Sequence, residues 1–269
     1  NVKGMQKSYE RLKKQEGIPT VPKERRIRPI HIWQSAAAIL FLLLASSVYL
    51  STVGTKAETD LLQQYIPIAE MRSLTLPDGT KVQLNSKSTL LYPQEFTGDS
   101  RSVFLLGEAN FKVKPDKKRP FIVKSNDLQI TALGTEFNVS AYPESQEIAT
   151  TLISGSIRVD YNNLTTSVIL HPNEQFAYNR NNKKYDLSNP DMDDVTAWQR
   201  GELVLQKMTL TDIINVLERK YPYAFVYSIK NLKNDRFSFR FKDNAPLEEV
   251  MEIIVNVVGQ MDYRIVDRK

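Results

Sequence analysis

The sequence predicts one transmembrane helix, then a mainly-β sandwich-like domain, then a small α+β domain. An uncharged apolar run lies between Arg28 and Lys56, short alternating runs follow to about Arg180, and a helical spacing recurs after 37 residues near the end. The predicted divisions are 1–30 (basic segment), 32–53 (transmembrane helix), 54–71 (connector), 72–180 (β domain), 181–199 (linker) and 200–269 (α+β domain).

Positive charge is concentrated before the apolar run. The first 30 residues carry nine Lys or Arg against three Glu, which makes +6, and since the whole chain is +5 the remaining 239 residues sum to −1. A basic tail beside a membrane span is typical of an orientation signal or a lipid contact, not of a DNA-binding face. We therefore expect no direct contact with nucleic acid.

The apolar run is long enough to cross a bilayer. The 27 residues between Arg28 and Lys56 carry no full charge, and 36–45 (AAAILFLLLA) is continuously apolar. About 20 helical residues span the hydrocarbon core, and Trp33 and Tyr49 lie where aromatic belts are expected. A cleaved signal peptide is the alternative, but the basic region before the run is longer than a usual signal-peptide n-region. The positive-inside rule places the N-terminus in the cytoplasm and residues from about 54 onward outside.

An all-β pattern follows the membrane segment. From Ser73 to about Arg180, Val, Ile, Thr, Phe and Tyr fill short runs, turn residues recur about every 8 to 12 residues, and no helical period is sustained. This pattern is typical of a sandwich or a flattened barrel. Asp78-Gly79 is predicted to form a hairpin turn. The polar stretch 181–197 has the composition of a linker.

The last 70 residues contain a repeat. Two predicted helices share the i, i+3, i+4, i+7 spacing of apolar residues, and Thr209 with Asp212 forms a capping-box signature before the first. The apolar sets are Leu210, Ile213, Ile214 and Leu217, and Leu247, Val250, Met251 and Ile254. Strands predicted at 202–205, 223–228, 236–242 and 262–267 complete two strand-helix-strand units.

Three phenylalanines lie on one face of a predicted strand, since Phe237, Phe239 and Phe241 are spaced by two. This face either packs on the helices or forms a docking face for a protein partner. The three residues are our candidates for protein contact.

The residue types exclude several chemistries. The chain has no cysteine and only two histidines, so it cannot form a thiolate metal site, a cysteine nucleophile or a histidine-rich site. We expect no cofactor, no metal and no enzymatic activity. A hydrolase would depend on a carboxylate pair such as Glu108 with Glu136. A membrane-anchored glycan-binding or adhesin-type β module is the other alternative, for which exposed tyrosines such as Tyr142, Tyr161 and Tyr178 could serve.

Several motifs together resemble the FecR family, the transmembrane anti-sigma regulators of iron uptake and, in Bacteroidetes-type bacteria, of polysaccharide uptake. The matching segments are LPDGTKVQLNSKSTLLYP (76–93), GEANFKV (107–113), PFIV (120–123), ALGTEFNVSAY (132–142), LISGSIRV (152–159) and PNEQ (172–175). The stretch from Ala197 to the LERKYPYAFVY segment resembles the C-terminal domain of that family, which is similar to the short N-terminal module of secretins and TonB-dependent receptors.

The resemblance implies a relay across the cell inner membrane. The periplasmic C-terminal domains would bind the signalling domain of an outer-membrane TonB-dependent receptor, and the cytoplasmic segment would hold an extracytoplasmic-function sigma factor. The single-pass helix would connect the two sides. The cytoplasmic domain of the family is longer than about 30 residues, and Gly4, Gly17 and three prolines disfavour helix here, so we expect 1–30 to be the tail of a truncated anti-sigma domain.

Some members of the family cleave themselves at a Gly-Thr bond in the ALGT segment, which corresponds here to Gly134 and Thr135. The Thr hydroxyl would attack the preceding carbonyl, and the resulting ester would hydrolyse more readily than an amide. The alternative is structural: Gly134 would form a bulge or a close strand approach.

Overall fold

The computed structural model describes residues 2–15, 29–54, 60–229, 235–242, 245–259 and 261–267. The chain divides into two compact units, Asn1–Glu58 and Thr59–Lys269. Each unit is described by itself.

The first unit contains two helices, α1 (Val2–Gln15) and α2 (Pro29–Gly54). The Gly and Pro residues of the basic segment disfavoured helix, yet α1 forms. It tolerates Gly4 in its first turn, and Gly17 and the three prolines all come after Gln15. Its exposed apolar residues recur every three or four positions and form one stripe. The stripe consists of Val2, Met5, Tyr9 and Leu12.

Helix α2 includes the predicted span 32–53. Its large apolar side chains from Ile39 to Leu44 are 58–73% exposed, and exposure continues at Val48 and Tyr49. Searched over the residues that the structure describes, no helix is both long enough and apolar enough to cross a membrane. Membrane insertion of 32–53 stays a prediction.

The second unit begins with thirteen strands. They are β1 (Leu61–Tyr65), β2 (Arg72–Thr75), β3 (Lys81–Leu84), β4 (Thr89–Pro93), β5 (Arg101–Lys112), β6 (Phe121–Lys124), β7 (Gln129–Ala132), β8 (Glu136–Ala141), β9 (Glu147–Ser154), β10 (Ile157–Tyr161), β11 (Thr166–Leu170), β12 (Gln175–Asn179) and β13 (Tyr185–Ser188). The prediction of a mainly-β domain is confirmed.

These strands form one curled sheet, not two separate ones. The main order is β11-β10-β7-β6-β5-β8-β9-β12-β13, while β4 and β3 also pair with β5 and carry β1 and β2. The long strand β5 causes this, because its first part pairs with β6 and β4 and its second part with β8 and β3. The partners change near Gly107, where an added Cβ would lie 2.4 Å from the Ser88 Oγ atom.

The interior of the curled sheet is an aromatic and aliphatic core. Alternate residues of each strand point inward, as period-2 patterning requires, and Phe111, Phe121 and Phe137 are fully buried there. The rings of Phe111 and Phe137 stack at a centroid distance of 5.4 Å. Burial of such side chains, worth about 1.5–3 kcal/mol each, is the main stabilising contribution.

The predicted hairpin turn at Asp78-Gly79 is confirmed, and Asp78 has a second role. The Gly79 amide donates to the Leu76 carbonyl at 2.8 Å between β2 and β3. The Asp78 carboxylate also accepts from Arg101 Nη1 at 2.7 Å, with side-chain exposures of 4% and 1%. Arg101 further donates to the carbonyls of Lys114 and Arg119. The buried pair therefore fastens the hairpin to β5 and to the loop after it.

Two strands lie outside the predicted β domain. Strand β1 falls in the predicted connector and pairs with β4 along its whole length, while 55–59 lie outside the described residues. Strand β13 falls in the predicted linker and pairs with β12. Its composition is polar, but the Tyr185 ring lies 5.2 Å from both Phe176 and Tyr161, and this contact recruits it to the sheet.

The rest of the second unit is the α+β domain. After α3 (Met192–Thr196) and a 3₁₀ helix (Ala197–Arg200) come β14 (Leu203–Thr209), α4 (Leu210–Lys220), β15 (Tyr223–Ile229), β16 (Arg236–Phe241), α5 (Leu247–Val258) and β17 (Met261–Asp267). The order matches the two predicted strand-helix-strand units. Each strand pairs with a strand of the other strand-helix-strand unit: β14 pairs with β16, and β15 pairs with β17.

The helix predictions in this domain are confirmed. Thr209 accepts a hydrogen bond from the Asp212 amide at 3.2 Å, so the predicted cap begins α4. Both apolar stripes are buried in one core with the sheet residues.

Candidate functional site

Helix α4 is joined to the β domain by Arg219, which lies in its last turn. The guanidinium carbon is 3.8 Å from the ring centroid of Tyr142, and Nη1 donates to the Glu144 carboxylate at 3.0 Å. The Arg219 carbonyl also accepts from the Ala69 amide at 3.0 Å. Since the Arg219 side chain is only 10% exposed, this contact is largely shielded from water. We call Arg219, Tyr142 and Glu144 the arginine clamp.

The Tyr142 ring that receives Arg219 is itself held firmly in the β domain. Its hydroxyl donates to the Ser86 carbonyl at 2.9 Å, and the residue is 2% exposed. Burial is the main cause that raises the pKa of the phenol, and the nearby Glu108 charge adds to the effect. Tyr142 therefore stays neutral and offers a rigid π-face to the arginine.

A second contact joins the 3₁₀ helix to the β domain. The Trp198 indole donates to the Asn138 Oδ1 atom at 3.3 Å, and the neighbouring Ala197 is 1% exposed. Gly201 ends the 3₁₀ helix and leads into β14. The link between the domains is therefore packed on the sheet.

Glu108 on β5 connects the surroundings of both contacts. Its carboxylate accepts from Asn138 Nδ2 at 3.0 Å and from Asn85 Nδ2 at 2.8 Å. Removal from water raises the pKa of Glu108, whereas these two hydrogen bonds and the Arg219 charge oppose the rise. The same Asn138 that binds Trp198 thus binds Glu108, and Glu108 feels the charge of Arg219. The arginine clamp, Trp198, Asn138 and Glu108 form the candidate site, an interdomain junction.

Ion pairs hold α3 to the α+β domain on the exposed side of this junction. Arg240 on β16 pairs with Asp194 of α3 and with Glu202 at 3.1 Å, and Arg200 pairs with Asp193 at 2.8 Å. Exposed pairs of this kind contribute at most about 1 kcal/mol each, but a network adds geometric restraint. Helix α3 is therefore attached to the α+β domain.

The structure places the predicted cleavage pair at the start of β8. Gly134 has a φ of +150°, and an added Cβ would lie 2.8 Å from the Pro115 Cα atom. This is the close strand approach that we expected at Gly134 as the alternative to cleavage. Thr135 is buried, and its Oγ1 atom has no hydrogen-bond partner among the described residues. Self-cleavage itself stays a prediction.

The three candidate phenylalanines lie in the core of the α+β domain. Phe239 and Phe241 are 8% and 6% exposed, and Phe237 is half-buried against the same core. The rings pack in one core with the helices, as the first of our two interpretations expected. Contact with a partner stays a prediction, and Phe237 is the ring with the larger accessible area.

Two alternatives lose their structural basis. Glu136 pairs in register with Lys112, four residues beyond Glu108 on β5, so the two Cα atoms are about 13 Å apart along the strand. Each carboxylate contacts other groups, Glu136 the Lys112 ammonium and Glu108 the side chains of Asn85 and Asn138. The tyrosines proposed for glycan binding are 2–4% exposed. These tyrosines are Tyr142, Tyr161 and Tyr178. Within the described ranges, no cluster of three His, Cys, Asp or Glu could hold a metal ion.

Sequence reasoning missed the junction residues. Arg219 is one basic residue near a helix C-terminus, where such residues are common, and Tyr142 had the appearance of a strand filler. The available signal was the position of Trp198 in a polar segment, since a large aromatic residue there indicates a packed contact.

Comparisons with known proteins agree with this two-domain architecture. The family model described as FecR protein matches residues 66–158, and the model described as FecR, C-terminal, matches residues 202–269. No curated protein matches the chain.

Two crystal structures from Parabacteroides distasonis ATCC 8503, both of candidate anti-sigma factors, are similar to this chain. The first is 33% identical, with a TM-score of 0.68, and the match covers 78% of this chain and 99% of the other. The second is 31% identical, with a TM-score of 0.67, and the match covers 77% of this chain and 100% of the other.

Proposed function

The chain belongs to the FecR family, and from that premise we propose that it is an anti-sigma regulator that relays a signal across the inner membrane. Its input is the signalling domain of an outer-membrane TonB-dependent receptor, and its output is an extracytoplasmic-function sigma factor. The genes under control serve iron or polysaccharide uptake. The FecR family is generally non-enzymatic, which agrees with a role in protein binding.

The interdomain junction is the observation that carries this proposal. The α+β domain is attached to the β domain by a shielded cation–π contact at Arg219 and by the Trp198–Asn138 hydrogen bond. A partner that binds the α+β domain therefore acts on a body already coupled to the sheet. Such coupling is what a relay requires, because a freely hinged domain would transmit no displacement.

We propose the domain division and topology that the charge pattern predicts. The segment 32–53 anchors the chain, 1–30 lies in the cytoplasm, and the domains from about 72 onward lie in the periplasm. The charge of +6 before the segment supports this orientation, and the exposed apolar side chains of α2 support a lipid environment. A single helix of this kind can anchor the chain and couple its cytoplasmic part to its periplasmic part.

The apolar stripe of α1 is our candidate contact for the sigma factor. Its side chains are 60–80% exposed within the first unit, as in amphipathic helices that bind into a partner's groove. Tyr9 lies near the middle of the stripe. The rest of the helix is polar and includes the basic residues Lys3, Lys7 and Arg11.

The test uses the whole chain in bacterial membranes, together with the sigma factor and receptor encoded beside it. We expect the sigma factor to co-purify with the chain, and Tyr9→Asp to abolish this, while Lys7→Gln, which makes the same charge change on the opposite face of α1, retains it. Arg219→Ala should retain sigma-factor binding but lose the response of a reporter gene to the receptor's signalling domain. The proposal fails when neither the sigma factor nor the signalling domain binds.

Self-cleavage between Gly134 and Thr135 is a second proposed activity. The buried Thr135 Oγ1 lacks a hydrogen-bond partner in the described structure, and Gly134 holds a conformation that favours glycine. Attack of Oγ1 on the Gly134 carbonyl carbon would break the amide, protonate the Thr135 nitrogen and leave an ester that water hydrolyses.

Mass spectrometry of natively expressed chain tests this activity, because it identifies the residue at which a fragment begins. We expect a fragment that begins at Thr135, and its loss in Thr135→Val. Thr131→Val is the matched control, since Thr131 Oγ1 is also buried and without a partner among the described residues. Intact chain alone would count against self-cleavage.

A further inference from the structure

A polar grid covers part of the outer face of the sheet, where β2, β3, β5 and β8 run side by side. The register places two rows on this face, and the intervening Val82 and Phe111 point into the core. One row is Ser73, Gln83, Asn110 and Asn138, and the next is Thr75, Lys81, Lys112 and Glu136.

A cleft of about 540 Å³ lies over this grid. Strands β2, β3 and β5 line it together with Glu136 of β8, and Gln199 of the 3₁₀ helix forms a further wall. Its size lies within the range of small-ligand sites, about 300–1,000 Å³. The cleft therefore combines the sheet surface with the connection between the two domains.

Two buried amide groups in this cleft have unused donors. Asn110 is 6% exposed, and its Nδ2 atom has no hydrogen-bond partner in the described structure; the same holds for the buried Nε2 atom of Gln199. An unsatisfied buried donor destabilises the folded chain. Two such donors lining one cleft indicate that a ligand supplies the acceptor.

The charges around the cleft specify the sign of that ligand. Lys81 and Lys112 are directly opposite each other on β3 and β5, an arrangement that destabilises a sheet. Glu136 lies 3.4 Å from Lys112 and offsets its charge, whereas Lys81 has no ion pair with a described carboxylate. The site thus has one uncompensated positive charge next to the two amides.

We propose that this cleft binds a carboxylate-bearing ligand, whose oxygens accept from Asn110 and Gln199 and face Lys81. A carboxylate fits because it is planar, accepts several hydrogen bonds and carries a single negative charge. A phosphate dianion fits less well, since Glu136 would repel its second charge. The two sources of such a group are an acidic sugar and the free C-terminus of a peptide.

The ligand would also act on the interdomain junction. Gln199 follows Trp198, which binds Asn138, so a ligand held by Gln199 stabilises the 3₁₀ helix on the sheet. The inference does not depend on the proposed function, because ligand binding is measured without sigma factor or receptor.

The experiment titrates the full chain in nonionic detergent with trigalacturonate and with N-acetyl-Ala-Ala-Ala, each compared with an uncharged counterpart, the trimethyl ester and the N-acetylated C-terminal amide. Calorimetry measures affinity, and NMR follows the side-chain amides of Asn110 and Gln199. We expect at least one acid to bind with a Kd of about 1 mM or tighter and its neutral counterpart about tenfold more weakly. The acid that binds identifies the source.

Variants locate the binding. Asn110→Ala and Lys81→Gln should each weaken binding by about tenfold, while Lys184→Gln, at an exposed lysine in the turn between β12 and β13, should change it less than about twofold. Lys81 is exposed, so Lys81→Gln keeps the test valid if Asn110→Ala misfolds. Absence of binding by both acids at about 10 mM, equal binding of the neutral counterparts, or an equal effect of Lys184→Gln would overturn the proposal.

Discussion

Replacement of Arg219 by alanine tests the coupling between the two domains. The substitution removes the guanidinium 3.8 Å from the Tyr142 ring centroid and the 3.0 Å hydrogen bond to Glu144. It leaves the Arg219 carbonyl, which accepts from the Ala69 amide, in place. The contact between the domains should therefore weaken without unfolding either core.

The expected loss is about 2 kcal/mol. A partly desolvated cation–π contact contributes about 0.5–2 kcal/mol, and the ion pair, whose Glu144 side chain is 29% exposed, contributes about 1 kcal/mol after screening. A loss of about 2 kcal/mol corresponds to about 30-fold more frequent local opening. The loss in Arg219→Lys should be smaller than the loss in Arg219→Ala, since a lysine keeps the charge but not the planar stacking.

Hydrogen exchange of the Ala69 amide and the Trp198 indole measures this opening in the full chain in detergent micelles. Both should exchange about 30-fold faster in Arg219→Ala. Arg158→Ala is the matched control, because Arg158 is 54% exposed and pairs with Asp160 on a single strand. Unchanged exchange at Ala69, or equal acceleration in the control, would refute the coupling.

Three further predictions concern buried groups. The raised pKa of Glu108 means that the native state binds the carboxyl proton more tightly than the unfolded state does. The free energy of unfolding that Glu108 contributes therefore falls as pH rises above the ordinary pKa near 4.5. Urea unfolding at several pH values should show a smaller dependence of the free energy of unfolding on pH in Glu108→Gln. Asp78→Ala leaves the Arg101 charge buried and should lower the free energy of unfolding by about 3–5 kcal/mol, with a smaller loss when Arg101→Met is added. Gly134→Ala should cost about 1–3 kcal/mol in the same assay, because of its φ and the contact with Pro115; an unchanged midpoint would contradict the strain.

Much of the fold follows from local patterns. The stripe of α4, its Thr209 cap and the Asp78-Gly79 turn each depend on residues within one or two turns of chain, and each is found as predicted. The additional strands β1 and β13 were missed because they are only five and four residues long and show no clear alternation of apolar and polar residues. They belong to the sheet through distant partners such as Phe176, which no local window contains.

The candidate site was less predictable, because its members come together only through tertiary structure. Arg219 and Glu144 are 75 residues apart, and Trp198 and Asn138 are 60 residues apart. Nothing in the spacing of these residues indicates contact. The resemblance to a family indicated the two domains but not how one is fastened to the other.

The sequence by itself determined the mainly-β class of the first domain, the two strand-helix-strand units of the second and the asymmetric charge around the apolar segment, since these depend on periodicity and composition along the chain. Only the tertiary structure decided that one long strand serves both halves of a single curled sheet, that Arg219 joins the domains, and that Asn110 and Gln199 line the same cleft. The physical reason is that strand register and side-chain packing are set by contacts between residues far apart in sequence, whose energies no local pattern contains.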